Sequence, residues 1–158
     1  MKEIVVASAN LGKVAEIRAL LEERDPEVRV LSMAEAGVRP DIEEDGETFE
    51  ENAVTKALAV AAAAGRPSLA DDSGLEVDIL GGRPGIHSAR FGGPDLDDRG
   101  RSQRLLTEMF AAPDHLRTAR FRCALAYVAP GISPVTFHGT LEGRIALRPA
   151  GTAGFGYD

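Results

Sequence analysis

The chain has 158 residues, 44% apolar and 27% charged, enough to bury one substantial core in a single domain. Its 25 acidic and 18 basic residues give a net charge of −7, the wrong sign for a general binder of the nucleic-acid backbone. One cysteine, Cys123, excludes an intramolecular disulfide and fits a reducing compartment, and the opening apolar run is too short for a signal sequence or a membrane span. The expectation is a cytoplasmic protein with neither a membrane nor a nucleic acid as partner.

"EIVVAS" (3–8) predicts a short buried strand. Asn10 then caps a helix with Val14, Ile17, Leu20 and Leu21 at helical spacing, which puts Lys13 in its first turn. "VRVLS" (28–32) predicts a second strand, followed by an acidic connection containing "DIEEDGE". Thr48 and Glu51 form a capping box for "FEENAVTKALAVAAAA", which Gly65 and Pro67 stop. Phe49, Ala53, Ala57, Val60 and Ala64 give that helix its apolar stripe, while Asn52 and Lys56 share another face.

"SLADDSGLEVDIL" predicts strand, turn and strand, and the glycine–proline run 81–95 predicts loop. A helix over about 97–110 is expected to pack through Leu105, Leu106, Met109 and Phe110. "TARFRCALAYVA" (118–129) alternates, with Phe121, Cys123, Leu125 and Tyr127 on one face and Cys123 in the core. "PVTFHGTLEGRIAL" (134–147) alternates less cleanly, and "RPAGTAGFGYD" is a final glycine-rich loop. Early strand–helix alternation followed by adjacent long strands indicates a mixed α/β sheet.

Three features bear on chemistry. "SANLGK" (8–13) places a hydroxyl, an amide, a glycine and a lysine between strand and helix, where free N–H groups and the helix dipole favour phosphate. It is not a P-loop, which needs a longer glycine-rich run. Asp71 and Asp72 follow an apolar run, and Glu43, Glu44 and Asp45 precede the capped helix. Such hard oxygen donors suit Mg²⁺, which takes one or two carboxylates and completes its shell with water and phosphate oxygens. Side chains alternate along an extended strand, so Asp71 and Asp72 face opposite ways and sequence physics leaves open which is functional. By position alone Lys56 reads as a solvated surface charge. His87, His115 and His138 have no companion at metal-ligand spacing, and no Gly-x-Ser-x-Gly elbow occurs.

"SANLGK" (8–13), "EEDGETFEENAVTKA" (43–57), "ADDSGLEVDILGGRPGIHSARF" (70–91) and "GTAGFGYD" (151–158) together resemble the inosine triphosphate pyrophosphatase family, also called Ham1-like. The resemblance covers essentially the whole chain. It implies an elongated α/β, mixed-sheet fold with two lobes around a central cleft, assembled as a homodimer. It also implies Mg²⁺-dependent hydrolysis of ITP, dITP and XTP to the monophosphate and pyrophosphate, which removes non-canonical purines from the nucleotide pool. Carried over by motif, Ser8, Ala9, Asn10, Leu11, Gly12 and Lys13 hold the triphosphate, and Lys56 faces phosphate, against its bland reading. Glu44 and Asp72 match the magnesium ligands and Asp72 also the general base. Ser73 matches a substrate-binding hydroxyl, and Phe155, Gly156, Tyr157 and Asp158 match the loop on the base. Relative to that family the chain stops at Asp158, short of a C-terminal segment with a late Ser-His-Arg that contacts the purine. Two alternatives stand beside this one: a Maf-like pyrophosphatase acting on other nucleotides, and a non-catalytic nucleotide-binding module.

Overall fold

Short β-branched runs form the first two strands, β1 (Lys2–Val6) and β2 (Val28–Ser32), joined by helix α1 (Leu11–Arg24). A computed structural model describes residues 2–158. Helix α2 (Phe49–Ala64) follows, then β3 (Ser68–Val77), α3 (Asp98–Glu108), β4 (Thr118–Val128) and β5 (Val135–Arg144). The strands form one mixed sheet in the order β2-β1-β3-β4-β5, with β1 parallel to both β2 and β3. The register sets Ile4 against Val30 and Val5 against Ser68. The chain is therefore a mixed α/β protein.

The fold divides into two compact units: Met1–Asp72 with Ala124–His138, and Ser73–Cys123 with Gly139–Asp158. In the first, strand alternation sends neighbouring side chains to opposite helices. Val5 and Leu31 join Ala53, Ala57 and Val60 of α2, whereas Val6 and Val30 join Val14 of α1. Both faces of β1 are covered, which is why it reads as a continuous apolar run rather than an alternating one. In the second unit, Leu75, Val77, Phe91, Leu105, Met109 and Ala119 make the core.

Several expectations are corrected. The segment 68–77 is one uninterrupted strand, not strand–turn–strand. Asp71 and Asp72 each find a cationic partner, so the strand need not break to solvate them. Within the expected loop, Gly85–Arg90 is a 3₁₀ helix, fastened by Ser88 Oγ, which donates to Gly85 O and accepts the Leu75 N–H. Helix α3 ends at Glu108, and Phe110, just past the cap at Met109, is 92% exposed instead of packed. Leu20 is likewise exposed, since Val14, Ile17 and Leu21 already complete the stripe on α1. On β4 the buried positions are Ala119, Ala124, Ala126 and Val128, whereas Phe121, Cys123, Leu125 and Tyr127 are half-buried, so Cys123 is not core. Among the described residues no helix is long and apolar enough to cross a membrane.

Candidate functional site

The turn before α1 is closed by its own side chains. Asn10 Oδ1 accepts the N–H groups of Gly12 at 2.9 Å and Lys13 at 3.3 Å, and Ser8 Oγ accepts the Asn10 N–H at 3.1 Å. Two helix N-terminal donors expected to be free for an anion are thus held by the cap. Ala9 and Leu11 are exposed, and Gly12 is half-buried. Lys13 projects from the first turn to Asp71, Nζ to Oδ2 at 2.5 Å, and the Asp71 side chain is only 8% exposed.

Asp72, the next residue on β3, meets the face of α2 instead. Its Oδ1 lies 3.3 Å from Lys56 Nζ, and its Oδ2 accepts from Asn52 Nδ2 at 3.1 Å. The same Lys56 ammonium donates to Glu44 Oε2 at 3.0 Å. One buried lysine therefore joins the acidic connection to β3. Lys56 is 9% exposed, which overturns its reading as a solvated charge. Within the first unit, Glu44, Lys56 and Asp72 stand together, and Lys13 and Asp71 pair beside them.

Electrostatics follow from this packing. Burial pulls the Lys56 pKa down, but the carboxylates of Asp72 and Glu44 outweigh it and the net direction is up. Burial raises the Asp72 pKa, and although Lys56 and Asn52 draw it back, it stays above the ordinary aspartate value. A carboxylate displaced in that direction is a better proton acceptor than a solvated one. Among the described residues no three or more His, Cys, Asp or Glu converge as a ready-made metal cage. Glu44 and Asp72 nonetheless converge on a single positive centre, which suits a hard cation that needs few protein ligands.

The expected base loop lies in the second unit. Phe155 N–H donates to Asp158 Oδ2 at 3.2 Å and Asp158 N–H returns to Phe155 O at 3.2 Å, closing a tight turn in which Gly156 has φ +61°. Gly156 N–H donates to Asp98 Oδ2 at the start of α3, and Tyr157 OH donates to Ser88 O at 2.8 Å. Burial pushes the Tyr157 hydroxyl up to about 12, in keeping with its role as donor. Ser73 is half-buried on β3. Sequence reasoning missed the part played by Asn52, which the structure sets between Gly46 and Asp72; the only local signal was its spacing one turn before Lys56.

The chain is thus a mixed α/β protein with paired cations and carboxylates where β3 meets α1 and α2. The sequence profile of the Ham1 family matches residues 4–158. A dITP/XTP pyrophosphatase of Bacillus subtilis is 50% identical over all of this chain, which spans 79% of that protein. One of Escherichia coli O157:H7 is 46% identical, again over all of this chain and 80% of the relative. The structure of a HAM1 protein from Coxiella burnetii superposes with a TM-score of 0.85 at 45% identity, covering 100% of this chain and 80% of that one. The chain belongs to the Ham1 family.

Proposed function

We propose that this chain hydrolyses the non-canonical purine nucleoside triphosphates ITP, dITP and XTP to nucleoside monophosphate and pyrophosphate, with Mg²⁺ as cofactor. The observation that carries the reading is the buried Lys56 ammonium shared by Glu44 and Asp72, in a chain similar over its whole length to dITP/XTP pyrophosphatases. When bound by Glu44 and Asp72, Mg²⁺ would supply positive charge opposite phosphate oxygens in the transition state. The Ser8–Lys13 turn holds the triphosphate. Lys13 and Lys56 exchange carboxylate partners for phosphate oxygens and offset the charge that develops there. Asp72 takes a proton from the attacking water. The water oxygen bonds to the α-phosphorus, the bond to the α–β bridging oxygen breaks, and pyrophosphate leaves with the electron pair.

Ser73 supplies a hydroxyl to the substrate, and the Phe155–Asp158 turn packs on the base. The reading treats residues 1–158 as one functional domain of a cytoplasmic homodimer. It is supported by the single cysteine and by the exposed Val135, Phe137 and Leu141 on edge strand β5. Incubation with ITP, XTP, dTTP and UTP in Mg²⁺ buffer, followed by phosphorus NMR, tests the activity. Pyrophosphate is expected from ITP and XTP. Release of orthophosphate, a preference for dTTP or UTP, or ITP binding without turnover contradicts the proposal.

A further inference from the structure

We propose that Asn52 is a positioning residue that fixes Asp72 relative to the acidic connection, a role resting on the reading of Asp72 given above. Asn52 is 3% exposed. Its Oδ1 accepts the Gly46 N–H at 2.9 Å while its Nδ2 donates to Asp72 Oδ2 at 3.1 Å. The amide orientation follows from chemistry: a backbone N–H can only donate, so the amide oxygen faces Gly46 and the NH₂ is left for the carboxylate.

Both oxygens of Asp72 are thus held, Oδ1 by Lys56 and Oδ2 by Asn52. The two tethers differ in kind. An ammonium is drawn to an arriving polyphosphate; a neutral amide is not, so Asn52 keeps Asp72 aimed when Lys56 changes partner. Gly46 lies two residues after Glu44, and the same amide therefore also locates the segment that carries Glu44. The fit requires glycine there: a Cβ on Gly46 would lie 2.6 Å from Asn52 Oδ1 and 2.9 Å from Glu51 Cβ. An aspartate at 52 would set a second carboxylate against Asp72, and a leucine of similar shape would make neither bond.

The test uses Asn52→Leu and Gly46→Ala in the full chain, each alone and combined with Asp72→Asn. Either single variant is expected to lower kcat on ITP about 10- to 100-fold, with KM moving much less, the scale typical of lost partners behind a reacting group. Added to Asp72→Asn, Asn52→Leu is expected to cost under about two-fold more, because residues acting through one group are not additive. With neither nucleotide nor metal present, the Gly46 amide proton is expected to exchange slowly in the parent and to lose that protection in Asn52→Leu. Should Asn52→Leu not fold, Gly46→Ala in the exposed connection carries the test. Near-parental kcat in the single variants, full additivity with Asp72→Asn, or an unprotected Gly46 amide in the parent overturns the role. Parental turnover in Asp72→Asn alone overturns the reading of Asp72 itself, and the role of Asn52 with it.

Discussion

Glu35 accepts the Ser32 N–H at 2.7 Å and the Arg18 guanidinium at 2.5 Å, while its own N–H donates to Ser32 Oγ. The backbone and side-chain bonds of Ser32, helped by Arg18, lower its pKa to about 2 from 4.5. A depressed carboxylate stabilises the fold above its unfolded pKa and loses that contribution as pH falls through the folded one. Glu35→Gln is therefore expected to lower the urea midpoint near neutral pH, with the gap to the parent shrinking from pH 4.5 towards 2 and vanishing below. A gap that stays constant through that window contradicts this account. At the same scale, the sequence shows that Asp71 and Asp72 point opposite ways, because alternation is local. Their partners were not legible: Lys13 and Lys56 lie on different helices, and no spacing along the chain encodes which helix covers which face. Lys56 looked solvated for the same reason, since its acids are 12 and 16 residues away.

Helix α2 was readable because its signals are local. Thr48 Oγ1 accepts the Glu51 N–H at 3.1 Å, and Gly65 ends the helix at φ +61°. The return arm of the capping box is displaced by one residue: the Glu51 carboxylate accepts the N–H of Glu47 rather than of Thr48. Thr48→Ala is expected to cost about 1 kcal/mol, read as a lower urea midpoint with an unchanged slope; a midpoint equal to that of the parent contradicts the cap. The expected stripe is buried at Ala53, Ala57 and Val60, whereas Phe49 and Ala64, near the helix ends, are half-buried against the same core. The elements that escaped the sequence reading depend on contacts between segments. β3 stays extended through its acids because α1 and α2 supply cations, and 85–90 coils because Ser88 answers Leu75. On β4, alanines line the buried positions while the larger side chains are half-buried, an inversion that alternation alone cannot reveal.

Across the whole molecule, the mixed α/β class followed from the order of elements, but the strand order β2-β1-β3-β4-β5 did not. Nothing local places β1 between β2 and β3 while α1 and α2 cover its two faces. The sequence reading named Glu44, Lys56 and Asp72, which the structure brings together, but not the amide that ties Asp72 to Gly46. An asparagine on a helix carries no distinctive signature until Gly46 and Asp72 stand on either side of it.

In the proposed reaction, water attacks the innermost phosphorus of the nucleotide and Asp72 takes its proton. Hydrolysis of ITP in water enriched in oxygen-18, with the products weighed by mass spectrometry, tests it most directly. One heavy oxygen is expected in the inosine monophosphate and none in the pyrophosphate, with Asp72→Asn slowing the reaction by about 100-fold or more. Label in the pyrophosphate, or an unchanged rate in Asp72→Asn, would contradict it.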